Sequence, residues 1–322
     1  MRAHRSILCT IAVMLVSVWS GSASADVITP DHIVIVMEEN HSYSEIIGSP
    51  NAPYINGLVS QGALLTNSFA VAHPSQPNYL ALFSGSTQGV TSDSVPSGLP
   101  FTTTNLGAQL IASGRTFTGY SESEPSVGYT GATAGGSSGY VRKHNPWVNW
   151  QQTGGPPYPA NTLPTSVNVP YSQFPTNYAT LPTVSFVVPT MLDDMHDGTI
   201  AQGDTWLSNN LNGYVQWAKT HNSLFILTWD EDDSSSSNQV ATILVGQQVQ
   251  IGVTSNQTIN HYNLLGTIQD MYGLARNANS IGTSAITGIW TPVPEPGSLV
   301  LLVVGSAGIF GSTRCRRLAH GL

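Results

Sequence analysis

Charged side chains make up only 9% of this 322-residue chain, and basic ones are the scarcest: ten Lys and Arg in all. Five of those ten lie in the two ends (Arg2, Arg5, Arg314, Arg316 and Arg317). Between residues 26 and 293 five basic residues face 17 acidic ones, a net charge of −12. A surface of that sign excludes nucleic acid or another extended polyanion as a partner, because such binding rests on Lys and Arg neutralising phosphates. It does not bar a single phosphate ester from a local pocket. Cysteine is nearly absent as well. Cys9 and Cys315 both lie near the ends, so the central part can hold neither a disulfide nor a Cys-ligated metal. Its stability has to come from an ordinary apolar core, for which one α/β domain of this length suffices, helped by any ion it binds. With so few charges, the plentiful Ser, Thr, Asn, Gln and Gly suit an exported protein.

Both ends read as sorting signals. Arg2 and Arg5 precede the apolar run 7–19, and Ala23-Ser24-Ala25 forms an A-x-A cleavage site, so residues 1–25 are expected to be a secretory signal peptide cut before Asp26. At the other end Val293-Pro-Glu-Pro-Gly297 is followed by an apolar run, 299–310, and by Arg314-Cys-Arg-Arg317. The stretch 297–313 reaches the lower limit for crossing a bilayer, and the basic cluster would stay on the cytoplasmic side. This tripartite end, 293–322, resembles the PEP-CTERM sorting signal of bacterial surface and secreted proteins. That resemblance implies transient membrane insertion and an exosortase-type sorting protease as partner. The protein would then be at the cell surface or secreted once the signal is removed. The other reading is a permanent tail anchor. Residues 26–292 remain as the domain.

Three continuous apolar runs read as fully buried parallel strands, and each ends in acids. The first is His32-Ile-Val-Ile-Val-Met37, followed by Glu38-Glu39-Asn40. The second, 183–188, leads to Asp193, Asp194, His196 and Asp197. The third, 224–229, exits into Asp230-Glu-Asp-Asp233. In open α/β sheets ligands gather at the carboxyl ends of strands. Glu39 with Asn40 is either a pair of oxygen ligands for a hard divalent cation or a polar strand exit. Carboxylates around His196 would orient the imidazole and raise its pKa, which suits a proton donor or a phosphate contact; the alternative is a surface turn. The run 230–233 is no EF-hand loop, because serines follow where that loop needs its Gly and its final Glu. Further strands are expected at 63–71, 116–121 and 241–245, and helices at 54–62, 102–114, 203–221 and 261–274. His261 would begin the last helix, facing the site or capping it.

His73-Pro-Ser-Gln-Pro-Asn-Tyr79 reads as a turn running into a short apolar helix, with proline tolerated in the first turn. Ser75 is then either an N-cap or a hydroxyl held at a helix N-terminus, where an anion is favoured and phosphoryl transfer to serine becomes feasible. The region 123–180 is rich in Gly, Pro, Ser and Thr, as a binding-site loop or lid would be. It contains Tyr140-Val-Arg-Lys-His-Asn-Pro-Trp147, unusually rich in hydrogen-bond donors for this chain. Gly135-Gly-Ser-Ser-Gly139 fits the G-x-S-x-G nucleophile pattern but lacks the strand before it and the helix after it. Three acid-ended strands and one serine at a helix start converge only in a parallel α/β sheet.

These stretches resemble the bacterial and fungal phosphoesterase family that contains acid phosphatases and phospholipases C, within the alkaline-phosphatase-like fold. The matching segments are 35–43, 73–79, Arg142-Lys-His-Asn-Pro146, Asp194-Met-His-Asp197 with 203–207, and Thr228-Trp-Asp-Glu-Asp232, in the family's order. The resemblance implies a mostly parallel central sheet with helices on both faces. It assigns Glu39, Asn40, Asp230 and Glu231 to a divalent metal of unknown identity and makes Ser75 the nucleophile. Asn78, His144, Asp194 and His261 become phosphate-pocket residues, with His196 as the acid for the leaving group. A phosphate ester is the implied substrate. The chain's short length favours a phosphomonoesterase. A phosphodiesterase of the phospholipase C type, or a surface protein that kept the fold without the chemistry, stays open.

Overall fold

The computed structural model describes residues 28–235 and 237–291. The expected leader (1–25) and sorting end (293–322) lie outside the described residues. In chain order the elements are β1 (His32–Glu38), α1 (Tyr43–Ile46), α2 (Pro53–Val59), β2 (Ala63–Phe69), α3 (Ser75–Ser84), α4 (Leu106–Ala112) and β3 (Phe117–Ser121). There follow β4 (Thr133–Ala134), β5 (Tyr140–Val141), β6 (Asn168–Pro170), β7 (Val184–Val188), α5 (Ile200–Ala218) and β8 (Ser223–Trp229). The last are β9 (Gln239–Gly246), β10 (Val253–Ser255), β11 (Ile259–Asn260) and α6 (His261–Met271).

The main sheet runs β10-β2-β9-β8-β1-β7-β3-β6, with β11 pairing the far end of β2. Strand β1 lies between β7 and β8, parallel to both, so Ile35 stands opposite Phe186 on one side and Ile226 on the other. The three acid-ended strands are therefore neighbours, and their carboxyl ends lie side by side. Strand β9 runs antiparallel to both β8 and β2. Its residues Val240–Val245 are covered on both faces, which removes the polar alternation that would mark an antiparallel strand in the sequence.

The period of two along β1 divides the core. Ile33, Ile35 and Met37 pack with Leu80 and Phe83 of α3, Leu106 of α4 and Leu265 of α6. Val34 and Val36 face the other layer, with Ile55 of α2 and Leu207, Leu211 and Val215 of α5. Helices thus cover both faces, as expected. Helix α5 starts at Ile200, earlier than the expected 203, because Thr199 and Gln202 form a capping box. Gly203 then falls inside the helix, where a Cβ would sit 2.6 Å from Met195 Cγ. Helix α4 starts at Leu106, capped by Asn105, rather than at 102. The region 123–180 is less open than its composition suggests. It supplies the hairpin β4–β5, and β6 extends the sheet beside β3. The Gly135–Gly139 serine motif is the turn of that hairpin. Ser138 donates to Asp197 Oδ2 at 2.9 Å, and no strand-to-helix elbow exists there.

Candidate active site

Helix α3 begins at Ser75, with Pro74 at its N-cap and Gly85 closing it in the left-handed conformation. The Ser75 hydroxyl does not cap the helix. It lies 3.0 Å from Glu39 Oε2 and 3.2 Å from Glu231 Oε1, and all three residues are buried. Glu39 leaves β1 on the α3 face, and its other oxygen accepts from Tyr79 Oη at 2.5 Å. Glu231 follows Asp230 at the exit of β8, and its second oxygen lies 2.6 Å from His73 Nδ1. His73 Nε2 is 3.4 Å from Asp232 Oδ1.

Asp230 is fully buried. Its Oδ1 accepts the Asn40 amide at 3.1 Å, while Oδ2 has no partner among the described residues. Asn40 takes the left-handed conformation (φ 56°), the sharp exit that brings its N–H onto that carboxylate. Burial raises the Glu39 carboxyl well above the usual range, and the charge of Asp194 adds to it. Asp230 is raised by burial, then by Glu39 and Glu231.

His144 is enclosed in the same cluster, stacked on Tyr79 with ring centroids 5.0 Å apart. Its Nδ1 lies 3.0 Å from Asp194 Oδ2 and its Nε2 3.1 Å from Glu39 Oε1. Burial, then the charges of Lys143 and His196, push its pKa well down, so the ring is neutral with a single N–H. With that proton on Nδ1 and donated to Asp194, the Nε2 lone pair points at Glu39. Asp194 accepts the His196 amide with its other oxygen at 2.9 Å. The phosphate contact expected of Asp194 does not fit this arrangement. A buried carboxylate would repel a phosphate, and both oxygens are committed to orienting imidazole and backbone.

Two more expected phosphate contacts stand elsewhere. Asn78 Oδ1 accepts the amides of Val71 and Ala72, each at 3.0 Å, and its Nδ2 donates to Ala72 O at 2.9 Å. Its amide thus holds the turn before Ser75 in shape. His261, the first residue of α6, lies with Nε2 2.8 Å from the backbone oxygen of Asp230, and burial lowers its pKa to about 4. A neutral imidazole there donates to the carbonyl and supports the β8 exit.

Lys143 escaped the sequence reading as a site residue, although it stands in the quoted Arg142-Lys-His motif. Its Nζ lies 3.0 Å from Asp93 Oδ2 and 3.1 Å from His196 Nε2. Burial works against the ammonium, but Glu39, Asp93 and Asp230 outweigh it and raise its pKa. An ammonium only donates. His196 Nε2 is therefore an acceptor, and the ring proton sits on Nδ1, which faces Asp197 Oδ1 at 2.8 Å. In this arrangement His196 Nε2 is occupied by Lys143. Arg142 turns away, bonded to Asn149 and to the Thr130 carbonyl. His73, Tyr79 and Asp93 complete the residues that sequence reasoning missed. They sit in loops or on the apolar face of a helix, and only their partners mark them.

Comparison with known proteins gives the family and the fold. The chain matches the Phosphoesterase family over residues 49–275 and the PEP-CTERM protein-sorting motif over 292–317. A phosphatidylinositol-3-phosphatase of Mycobacterium tuberculosis is 45% identical over 302 residues, covering 90% of this chain and 95% of that protein. A phosphate-repressible acid phosphatase of Penicillium chrysogenum is 31% identical over 76% of this chain, which spans 59% of that relative's length. A solved structure from Vibrio parahaemolyticus, a protein in the alkaline phosphatase superfamily, matches with a TM-score of 0.55 at 12% identity, over 80% of this chain and 71% of that one. At that identity the likeness is one of fold. The chain belongs to the phosphoesterase family, hydrolases of phosphoric ester bonds, on an alkaline-phosphatase-like α/β fold.

Proposed function

We propose that this protein is an exported, metal-dependent phosphomonoesterase that works through a phosphoserine at Ser75. The observation that carries the reading is the Ser75 hydroxyl held between two buried carboxylates at the start of a helix. One hydroxyl proton cannot serve both acceptors, and the partnerless Asp230 Oδ2 lies in the same cluster. So much buried negative charge calls for a cation. The all-oxygen donors Glu39, Asp230 and Glu231, with Asn40 beside them, suit a hard divalent ion. Glu39, His144 and Asp194 also lie with potential ligand atoms within 4.8 Å of one another, where Glu39 and His144 Nε2 would hold a second ion. There Asp194 would orient His144 as a carboxylate partner orients a metal-bound imidazole. When bound, the ion lowers the pKa of the serine hydroxyl and neutralises phosphoryl charge.

The chain's own groups do the rest. Glu39 or Glu231 accepts the Ser75 proton, with His73 Nδ1 2.6 Å from Glu231 and Nε2 3.4 Å from Asp232. The Ser75 oxygen attacks phosphorus in line. The amide of Gln76 and the ammonium of Lys143 stabilise the equatorial oxygens. Lys143 donates toward the departing oxygen, with His196 Nε2 positioned to share its protons. Water then cleaves the phosphoserine. The identity with a named phosphatidylinositol-3-phosphatase, over nearly its whole length, supports a monoester substrate. The PEP-CTERM match supports export, surface sorting and an exosortase-type partner. Among the described residues no helix is long and apolar enough to cross a membrane.

The test compares p-nitrophenyl phosphate with bis-p-nitrophenyl phosphate, with and without chelator, in the native protein and Ser75→Ala. Monoester turnover lost in the variant and restored by a divalent ion only in the native protein is expected. Undiminished turnover by Ser75→Ala would refute the reading, and preferential diester turnover would move it to phosphodiesterase.

A further inference from the structure

Between α3 and α4 lie 21 residues, 85–105, with no helix or strand. Loops of that length in a compact domain are commonly functional. Most of this one faces solvent, yet its tip is fastened to the active site. Asp93 Oδ1 accepts the backbone N–H of Gln76, the residue after the nucleophile, at 3.0 Å. Asp93 Oδ2 accepts from Lys143 Nζ, also at 3.0 Å. The buried side chain of Gln76 secures the same tip by donating to the carbonyls of Ser92 and Ser94, each at 2.8 Å.

Gln76 N–H and Lys143 are the two donors that the proposed mechanism assigns to the phosphoryl group. Each of them bonds one oxygen of the same carboxylate. A carboxylate whose two oxygens bridge an amide and an ammonium is an internal stand-in for two oxygens of a phosphate. Asp93 is also a third exposed, so its carboxylate is already partly hydrated and departure completes that hydration. It gives up the bonds to Gln76 N–H and Lys143, and an outward swing of the strap also gives up the two Gln76 side-chain bonds to Ser92 and Ser94.

We propose that Asp93 occupies the phosphoryl-oxygen subsite of the resting enzyme, and that substrate enters by exchanging with it. Resting on the serine phosphoesterase reading above, this makes Asp93 a specificity residue. A phosphomonoester dianion competes well against a carboxylate monoanion for Lys143. A diester, with one negative charge, competes poorly. The strap 91–97 then swings outward as the phosphoryl group takes both donors, and it returns when phosphate leaves.

The test measures binding of inorganic phosphate to the purified divalent-loaded protein by calorimetry, alongside steady-state turnover of both p-nitrophenyl esters. Asp93→Asn keeps the shape and removes the competing charge. It should bind phosphate about tenfold tighter, the size of one charge-assisted hydrogen bond no longer in competition. The preference for monoester over diester should shrink by a similar factor. Adding Lys143→Gln should abolish the gain from Asp93→Asn. Unchanged or weaker phosphate binding in a folded Asp93→Asn protein overturns the proposal. Limited proteinase K digestion of the unaltered protein is the second measurement. Phosphate should speed cleavage within the 91–97 tip, and equal or slower cleavage overturns the proposal without any variant. If native protein turns over ester but neither effect appears, this inference alone fails. If native protein neither binds phosphate nor turns over ester, the underlying reading fails.

Discussion

Glu124 offers the sharpest check on the energetics of this fold. The residue is buried, and neither carboxylate oxygen has a hydrogen-bond partner among the described residues. Burial raises its pKa from the ordinary range to about 8. The nearby Tyr140 phenol is raised by its own burial and then by the Glu124 charge. A carboxyl raised in the folded state favours folding while protonated. Its contribution is fully present below the unfolded value near 4.5 and is lost as pH climbs through about 8. That interval corresponds to on the order of 5 kcal/mol at most, at about 1.4 kcal/mol per tenfold change in proton affinity. Glu124→Gln keeps the size and polarity of the side chain and cannot ionise. We expect native protein and variant to match within ~1 kcal/mol near pH 5, and the variant to be several kcal/mol more stable above about pH 8. For a domain of this size that is a difference on the order of 10 °C in melting temperature. Urea unfolding of both proteins across pH provides the assay. Titrations of groups not coupled to Glu124 cancel in the difference. Parallel profiles for the two proteins would show that Glu124 ionises normally, and the reasoning from burial would fail.

Gly119 lies in β3 beneath Trp147, where a Cβ would meet the indole at 2.0 Å. Gly119→Ala should lose about 1–3 kcal/mol to overpacking, read by chemical unfolding. Asn78→Ala frees the amides of Val71 and Ala72, so stability should fall by about 1–3 kcal/mol and turnover should drop while KM changes little. Tyr79→Phe removes the donor to Glu39 Oε1, and it should weaken divalent binding in calorimetry rather than abolish folding. Chelation should lower the melting temperature, since Glu39, Asp230 and Asp194 are all raised by burial. The loss should deepen as pH rises, because more of those carboxyls must then ionise without a counter-charge.

Much of this arrangement was legible in the sequence, for a definite reason. A strand buried on both faces is written as an unbroken apolar run, and acids placed just after such runs have one place to go in a parallel sheet. Hence Glu39, Asp230, Glu231 and Asp194 could be brought together with Ser75 before any coordinates. The antiparallel course of β9 was hidden because a doubly covered strand looks alike in either direction. The partners of Asn78, His261 and His196 were not legible for another reason. Residue type says that a side chain can bond, but not to what. Asn78 turned to the backbone of 71–72, His261 to the Asp230 carbonyl, and His196 to Lys143. Asp93 was invisible altogether, since its meaning lies in a contact across 50 residues with Lys143.

Strand β1 ends in two glutamates one peptide apart, and the pleat sends them to opposite sides of the sheet. Glu39 meets Ser75. Glu38 goes to the α5 side, fully buried and without a hydrogen-bond partner among the described residues, its pKa raised by burial and then by Asp193, Glu122 and Asp204. The identity of the two side chains makes the frame of β1 a fault that composition alone cannot detect. Deleting one residue from 33–37 would leave a run just as apolar and just as acidic at its end. It would nonetheless exchange which layer each residue faces, sending Ile33 and Val34 into the wrong halves of the core. Tolerance to substitution along this strand should therefore be wide and tolerance to a change of length nil, a contrast that a deletion scan set beside a conservative substitution scan would make plain.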